Sequence, residues 1–225
     1  MPFKVKICGL NSAEAMAAAL DAGADLVGLN FFAKSPRRVT VAAAAALAEQ
    51  ARGHAEIAAV TVDADDDTLA AIMRDVKPDW LQLHGTESPQ RCRALAAIHG
   101  CRVMKAIGVA AAGDLDRAAP YDSVDRLLLD AKAPIGAPLP GGNGLPFDWR
   151  LLERGRLQPF ILSGGLTPAN VAEAINLLRA SPSFAGVDVA SGVESAPGVK
   201  DAALIRAFIA AAHAAQRAPV KEGVA

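Results

Sequence analysis

The sequence has little of what marks several common classes of protein. Its formal net charge is -1, from 23 basic and 24 acidic residues, so it lacks the overall positive charge typical of nucleic-acid-binding proteins. The longest apolar run, near residues 41–48, is far too short to span a bilayer. The chain enters a strand pattern at once, and we expect no signal peptide. We therefore expect a protein that binds neither nucleic acid nor membrane.

Cysteine is also scarce, with only Cys8, Cys92 and Cys101. This odd, small set has neither the spacing of a disulfide framework nor that of metal ligands. A redox or metal role for Cys8 has little support, because no second cysteine is placed to join it. The simplest expectation is a cytoplasmic protein with free thiols and no metal ion.

Hydrophobic residues make up 52% of the 225 positions, which is enough for a full core. Apolar runs typical of strands alternate with Ala-rich stretches typical of helices, in repeats of the size of a βα unit. The predicted strands lie near residues 3–8, 26–31, 57–62, 80–84, 102–107, 126–131, 159–163 and 185–190. The predicted helices lie near residues 12–22, 41–52, 66–75, 88–98, 111–118, 148–153, 168–179 and 199–216.

Eight βα units in a chain of this length predict an α/β protein with a single-domain (β/α)₈ TIM barrel over residues 1–217. The structural alternative is an open doubly wound sheet. It is disfavoured because the turn after the first strand lacks the G-x-G-x-x-G fingerprint. Residues 218–225 read as a flexible C-terminal tail. The Gly- and Pro-rich segment 132–147 is long enough to predict a functional loop.

Polar residues recur on one face of the predicted strands, near their carboxyl ends. The apolar residues of each strand should face the helices, which turns the alternate residues towards the barrel interior. The inward set is Lys6, Cys8, Asn30, Asp63, Gln82, His84, Asp130 and Asp188. Singly, each has a structural explanation; His84, for example, is equally compatible with a core histidine bonded to backbone. Together, so many polar groups in one barrel mouth predict an active site, because their burial is costly unless they pair or act.

Two loops predict phosphate binding. The segment LSGGLTPANV (162–171) places Gly164 and Gly165 between the seventh strand and a helix, with Thr167 as an expected N-cap and Pro168 at the first helical position. Glycines there allow backbone N–H groups to approach an anion closely. The eighth strand also ends in a small-residue turn, and the loops after strands 7 and 8 are the usual phosphate site of these barrels.

The loop after the second strand, FFAKSPRRVT (31–40), concentrates positive charge in a nearly neutral protein. It contains Lys34, Arg37 and Arg38. These residues could simply form a solvated loop. Because an arginine can also bind a carboxylate through two hydrogen bonds, one of them could hold a second anionic group of a ligand.

Over residues 4–208 the chain resembles the phosphoribosylanthranilate isomerase family of tryptophan biosynthesis. The resemblance rests on KICGL (6–10), KSPRRV (34–39), LQLHG (81–85), LLLDAK (127–132), GGNG (141–144), LSGGLTPANV (162–171) and DVASGVE (188–194). It implies a (β/α)₈ barrel that needs no metal or cofactor. It also implies an Amadori rearrangement of N-(5-phosphoribosyl)anthranilate to 1-(2-carboxyphenylamino)-1-deoxyribulose 5-phosphate.

The resemblance also implies roles for individual residues. Cys8 would be the general base, Asp130 the general acid, and Arg37 the group that holds the anthranilate carboxylate. Asp188 would bind or orient the substrate at its ring and amine. The phosphate would lie against Gly164, Gly165, Ser191 and Gly192. Asn143 and Ala190 depart from the residues expected at those positions, so no side-chain phosphate bond is assigned at Ala190.

Lys6 lies two residues from Cys8 on the same face of the first strand. We expect its charge to favour the Cys8 thiolate and its ammonium to pair with an inward carboxylate. Two other functions are alternatives for such a barrel. One is a bisubstrate sugar-phosphate isomerase, which generally uses paired aspartates, and the other is a catalytically silent phosphosugar-binding barrel. Cys8 argues against the first, and the retention of both Cys8 and Asp130 argues against the second. The expected partner is a small phosphosugar, and the protein could be a monomer or a homodimer.

Overall fold

Eight parallel strands close into a barrel in the order of the chain, and the eighth pairs with the first. The computed structural model describes residues 2–133, 147–152 and 157–218. The strands are β1 (Lys4–Cys8), β2 (Leu26–Asn30), β3 (Glu56–Thr61), β4 (Trp80–Leu83), β5 (Arg102–Val109), β6 (Arg126–Ala131), β7 (Phe160–Leu162) and β8 (Phe184–Val189). The predicted single-domain (β/α)₈ barrel is confirmed, and the open sheet is excluded.

Six α-helices pack around the described part of the barrel. They are α1 (Ala13–Asp21), α2 (Val41–Ala51), α3 (Asp66–Asp75), α4 (Pro89–His99), α5 (Val171–Leu178) and α6 (Ala202–Arg217). Five begin at a Ser, Thr or Asp whose side chain accepts a hydrogen bond from a backbone N–H of the first turn. This capping satisfies donors that the helix itself leaves free. No helix among the described residues is long and apolar enough to cross a membrane.

The structure corrects the prediction at four helices. After β5 and after β6 the chain forms 3₁₀ helices, Ala112–Tyr121 and Trp149–Leu152, where α-helices were predicted. The first of these contains Pro120, which cannot donate the backbone hydrogen bond of a helix interior. The helix after β7 begins at Val171 with Asn170 at its N-cap, so the prediction of Thr167 as N-cap was wrong.

The fourth correction lies after β8. A short hairpin, β9 (Glu194–Ala196) and β10 (Val199–Lys200), occupies the expected start of the last helix, which begins only at Ala202. Most of the predicted functional loop 132–147, Asn143 included, lies outside the described residues, as does 219–225 of the predicted tail. The domain boundary at residue 217 therefore stays a prediction.

The inward and outward faces of the strands follow the predicted alternation except at Asp63, where the prediction was wrong. Asp63 lies beyond the end of β3 with a φ of 47° and accepts hydrogen bonds from Thr86, whereas Val60 and Val62 face the cavity at the carboxyl ends of the strands. Val5, Ile7, Leu81 and Leu83 join the main core between strands and helices. A second cluster fills the barrel interior; its members are Leu26, Ala58, Trp80, Met104, Ala106, Leu128 and Ile161. The polar interior residues therefore lie above an apolar floor, at the carboxyl ends of the strands. This places them at the end of the barrel where such folds carry their chemistry.

Three aspartates tie strands together at the opposite, amino-terminal end of the barrel. Each directly precedes an even-numbered strand and accepts a backbone N–H from the odd-numbered strand before it. Asp25 accepts from Val5 at 2.8 Å, Asp79 from Ile57 at 2.8 Å, and Asp125 from Val103 at 2.8 Å. The first three odd-numbered strands thus begin with the same side-chain tie to their successor.

Candidate active site

A pocket opens at the carboxyl ends of the strands, with a volume of about 690 Å³ that includes open solvent at its mouth. Seven of the eight predicted site residues line it: Cys8, Arg37, Asp130, Gly164, Gly165, Asp188 and Ser191. Together with further lining residues such as Val60 and Gln82, they show that β1, β2, β3, β4, β6, β7 and β8 or the loops after them converge on one cavity.

Lys6 makes a buried ion pair with Asp188 across the β1–β8 seam. The Nζ–Oδ1 distance is 2.7 Å, and the two side chains are 0% and 4% exposed. The strands pair so that Lys6 lies directly beside Asp188. The other carboxylate oxygen of Asp188 accepts a hydrogen bond from the Ser163 hydroxyl at 2.9 Å. The predicted pairing of Lys6 with an inward carboxylate is thus confirmed, and the partner is Asp188.

Cys8 ends β1 and is buried beside this pair. Burial raises the pKa of the Cys8 thiol, because a thiolate is poorly solvated there. The positive charges of Lys6 and Lys200 act in the opposite direction, while Asp188 adds to the rise. The net result is a raised pKa. Lys6 therefore favours the thiolate as expected, but in the free protein its charge is outweighed by desolvation, which the sequence alone does not show.

Asp130 occupies the barrel mouth from the end of β6. Its carboxylate is almost fully buried; Oδ1 accepts the backbone N–H of Ala131 at 2.9 Å, and Oδ2 lies 3.3 Å from Nε2 of His84. The other ring nitrogen of His84 lies 3.0 Å from the Gln82 amide. The ring of His84 therefore lies in the pocket beside Asp130.

Arg37 reaches the pocket from the loop after β2, but it already has a strong partner. Its Nε and Nη2 donate to the two carboxylate oxygens of Glu194 at 2.7 and 2.9 Å. Nη1 takes no part in this contact. Only 6% of Arg37 is exposed, so the residue is held in one orientation against the pocket. The charged neighbours Lys34 and Arg38 are exposed.

The glycine loops differ in what their glycines do. Gly164 and Gly165 have φ angles of 86° and 66°, the left-handed region that favours glycine. A Cβ on Gly164 would also lie 2.9 Å from Oδ1 of Asp130. Gly192 is not among the pocket-lining residues. A Cβ there would collide with the carbonyl of Leu166, so Gly192 lets the loops after β7 and β8 pack directly on each other.

Two further glycines shape the site, and the sequence reading missed both. A Cβ on Gly28, in the middle of β2, would lie 2.9 Å from the Cys8 sulfur and 3.2 Å from Nζ of Lys6. A Cβ on Gly9 would lie 2.5 Å from Cδ of Arg37, and its φ is 75°. A glycine inside a strand often marks a close approach, so Gly28 carried a signal in the sequence.

Glu194 and Lys200 were also missed; both side chains are nearly fully buried, and they contact Arg37 and Ala190 of the pocket. They lie on the hairpin after β8, far from Arg37 in sequence, and no local pattern predicts that contact. Among residues 2–133, 147–152 and 157–218, no group of three or more His, Cys, Asp or Glu side chains is placed to hold a metal ion.

Comparison with known proteins agrees with this geometry. The profile of the N-(5'phosphoribosyl)anthranilate (PRA) isomerase family matches residues 5–211. The chain is 57% identical over 97% of its length to the N-(5'-phosphoribosyl)anthranilate isomerase of Afipia carboxidovorans, of which 93% is covered. It is 54% identical over 98% of its length to that of Rhodopseudomonas palustris, which is covered completely.

Solved structures give the same result. The phosphoribosyl anthranilate isomerase of Thermotoga maritima has a TM-score of 0.84 at 34% identity, with 94% of this chain and 99% of that chain covered. A phosphoribosyl anthranilate isomerase in complex with reduced 1-(o-carboxyphenylamino)-1-deoxyribulose 5-phosphate has a TM-score of 0.81 at 33% identity, with the same coverage. From sequence, barrel and pocket together, this chain belongs to the N-(5'-phosphoribosyl)anthranilate isomerase family.

Proposed function

We propose that this protein converts N-(5-phosphoribosyl)anthranilate to 1-(2-carboxyphenylamino)-1-deoxyribulose 5-phosphate, a step of tryptophan biosynthesis. The observation that carries the proposal is the placement of Cys8 and Asp130 on β1 and β6 of the same pocket. An internal Amadori rearrangement needs an acid for the ring oxygen and a base for the C2 proton. Groups on distant strands of the barrel can flank a sugar that is bound between them.

Asp130 is the proposed general acid. It donates a proton to the ring oxygen, the C1–O bond breaks, and the nitrogen lone pair forms a C1=N iminium. Nε2 of His84 lies 3.3 Å from Oδ2 of Asp130, in contact with this carboxyl group. A carboxyl group protonated at the start of the reaction becomes a carboxylate after it.

Cys8 is the proposed general base. Its thiolate takes the C2 proton of the iminium, and the electrons of that C–H bond form a C1=C2 double bond as the nitrogen becomes neutral. Transfer of the C2 hydroxyl proton to C1 then yields the ketose. The ammonium of Lys6 compensates part of the cost of forming a buried thiolate.

The two anionic ends of the substrate have separate places in this proposal. Arg37 would hold the anthranilate carboxylate through Nη1, since Nε and Nη2 already bind Glu194. The phosphate would lie against Gly164, Gly165 and Ser191, with Gly192 supporting that loop. Asp188 would orient the ring and amine while Lys6 and Ser163 hold its carboxylate in place.

Turnover of enzymatically generated substrate, followed by loss of anthranilate fluorescence, tests the proposal. Cys8→Ala and Asp130→Asn should each lower kcat by about 10²–10⁴-fold, the usual contribution of a positioned acid or base. Both variants should still bind the reduced product analogue, because the phosphate loops are unchanged. Near wild-type turnover in Asp130→Asn would refute the acid assignment, and in Cys8→Ala the base assignment. A wild-type protein that binds the analogue without turnover would instead be a silent phosphosugar-binding barrel.

The remaining expectations concern the protein's surroundings. A small phosphosugar is the proposed partner, and a cytoplasmic location suits three free thiols. A dimeric phosphoribosylanthranilate isomerase of Thermotoga maritima is among the similar structures. For this chain both a monomer and a homodimer stay predictions, which light scattering of the purified protein distinguishes.

A further inference from the structure

The hairpin β9–β10 lies beside the pocket and contacts two other loops. The carbonyl of Gly198, in its turn, accepts a hydrogen bond from the Asn11 amide at 3.0 Å. A Cβ on Gly198 would lie 2.5 Å from the carbonyl oxygen of Pro36, the residue before Arg37. The hairpin therefore packs closely against the loops that follow β1 and β2.

Glu194 is the centre of this contact. Its carboxylate binds Arg37 with both oxygens, and it also accepts from the Gly198 N–H at 3.1 Å and from Nζ of Lys200 at 2.7 Å. Burial acts to raise the pKa of the Glu194 carboxyl, but the hydrogen bonds from Arg37 and the charge of Lys200 outweigh it and hold the pKa below its usual value. Glu194 is therefore a carboxylate at neutral pH.

Lys200 extends the network to the loop after β8. Besides Glu194, its ammonium donates to the carbonyl of Ala190 at 2.7 Å. Ala190 and Ser191 line the cavity on the side where the phosphate is expected. One buried chain of contacts thus runs from Arg37 through Glu194 and Lys200 to Ala190.

The network of Arg37, Glu194 and Lys200 carries a net positive charge. Arg37 and Lys200 contribute two positive charges and Glu194 one negative charge. An apolar cluster of the same volume would often be equally or more stable than such a buried ionic group. Stability therefore does not explain why the group is ionic, whereas holding a long arginine side chain in one orientation at a binding pocket does.

We propose that Glu194 and Lys200 are positioning residues, which fix Arg37 and the Ala190–Ser191 segment in one geometry so that both anionic ends of the substrate bind as a unit. This inference rests on the proposed function for the identity of the ligand. Neither residue needs to touch the substrate. Their effect is to remove the freedom that Arg37 and the loop would otherwise lose on binding.

A double-mutant cycle between Arg37 and Glu194 tests the proposal. The variants are Arg37→Ala, Glu194→Gln and the pair, and the main measurement is the calorimetric Kd of the reduced product analogue, which requires no turnover. Glu194→Gln should raise this Kd by about 10–100-fold in the wild-type background, the effect expected of a misplaced binding group. In the Arg37→Ala background the same change should have at least fivefold less effect, because contacting residues are coupled.

Kinetics and controls separate positioning from general damage. With substrate, Glu194→Gln should raise KM and leave kcat within about threefold, since uniform binding is lost. Lys200→Met should raise the inhibition constant of inorganic phosphate, because Ala190 loses its tie. Two exposed residues provide control variants, Glu173→Gln on α5 and Lys77→Met at the opposite end of the barrel. Neither variant should change KM or the inhibition constant of phosphate. If Glu194→Gln does not fold, Glu194→Asp, which keeps the charge but shortens the reach, should show the same rise in Kd.

The results that overturn the proposal are distinct from those that overturn the function. An unchanged Kd in a folded Glu194→Gln or Glu194→Asp, or equal effects of Glu194→Gln in both backgrounds, would show that Glu194 does not act through Arg37. An unchanged inhibition constant of phosphate in Lys200→Met would show that Lys200 does not position the Ala190–Ser191 segment. A wild-type protein without isomerase activity whose analogue binding keeps the predicted coupling would refute the reaction while supporting the positioning roles.

Discussion

Replacement of Lys6 by methionine separates the structural use of the Lys6–Asp188 pair from its effect on Cys8. The change keeps most of the side-chain volume and leaves the Asp188 carboxylate buried without its cation. Lys6 and Asp188 are 0% and 4% exposed and 2.7 Å apart, so solvent cannot take the place of the lost charge. Breaking such a pair on one side costs about 3–5 kcal/mol.

This cost can be expressed as a melting temperature. For a domain of this size each kcal/mol lowers the Tm by roughly 2–4 °C, so we expect the Tm of Lys6→Met to fall by roughly 6–20 °C. Hydrogen bonding from Ser163 to Asp188 places the result towards the smaller value. Calorimetry or circular dichroism during heating measures it, with Lys77→Met as the exposed control.

A second variant tells whether the loss comes from the orphaned carboxylate. Lys6→Met combined with Asp188→Leu removes both charges and should recover at least half of the lost Tm, although we expect turnover to be lost with the proposed role of Asp188. Separately, the single variant should alkylate more slowly at Cys8 at neutral pH, followed by mass spectrometry of the Cys8 peptide, because a charge that favours the thiolate is gone. A wild-type Tm for Lys6→Met, or a double variant less stable than the single one, would refute the reasoning.

Three further predictions follow from the site and its surroundings. Chelators should leave turnover unchanged, since the proposed acid and base are side chains; activity lost to EDTA and restored by a divalent ion would contradict the mechanism. Arg37→Ala should mainly raise KM. Glu194 still has Lys200 and the Gly198 N–H as partners in this variant, so its carboxylate is not left unpaired. An unchanged KM would assign the contact with the substrate carboxylate to Lys34 or Arg38. Hydrogen bonds from Lys132 and from backbone N–H groups lower the pKa of Asp114 to about 2. Its stabilising effect should therefore be complete above about pH 4, the unfolded pKa, and vanish as the pH falls through 2. Urea unfolding of wild type and Asp114→Asn across this range should show a gap that closes with acid, and a gap independent of pH would contradict the assignment.

The barrel was predictable because short apolar runs typical of strands recur at the spacing of a βα unit. Alternation around Leu81 and Leu83 determines that Gln82 and His84 face inward, whatever the neighbouring strands are. The prediction of secondary structure failed where the local sequence pattern was weak or was outweighed by another residue. The 3₁₀ helix 112–121 has helix-forming alanines but is interrupted by Pro120, and the strands of the hairpin are too short to show alternation. The Pro197–Gly198 dipeptide does mark its turn, and this signal was available.

The site was predictable only in part for a different reason. The residue types of Cys8, Asp130 and Asp188 at strand ends identify a reactive pocket, and a resemblance to a family suggests their roles. What the sequence does not contain is the balance of burial and charge: Lys6 lowers the pKa of Cys8, yet the net pKa is raised because the thiol is buried. Nor does it contain the partner of Arg37, since Glu194 is 157 positions away along the chain.

The three aspartate ties at the amino-terminal end of the barrel divide the chain into natural pieces. Asp25, Asp79 and Asp125 each join an odd-numbered strand to the even-numbered strand that follows, so the side-chain ties fall within pairs of βα units. A break of the chain between α2 and β3, or between α4 and β5, leaves every tie inside one fragment. A break between α1 and β2 instead makes the tie from Asp25 to Val5 an intermolecular bond. Circular permutants and split versions of this barrel should therefore reassemble more readily when they are opened between pairs than within them.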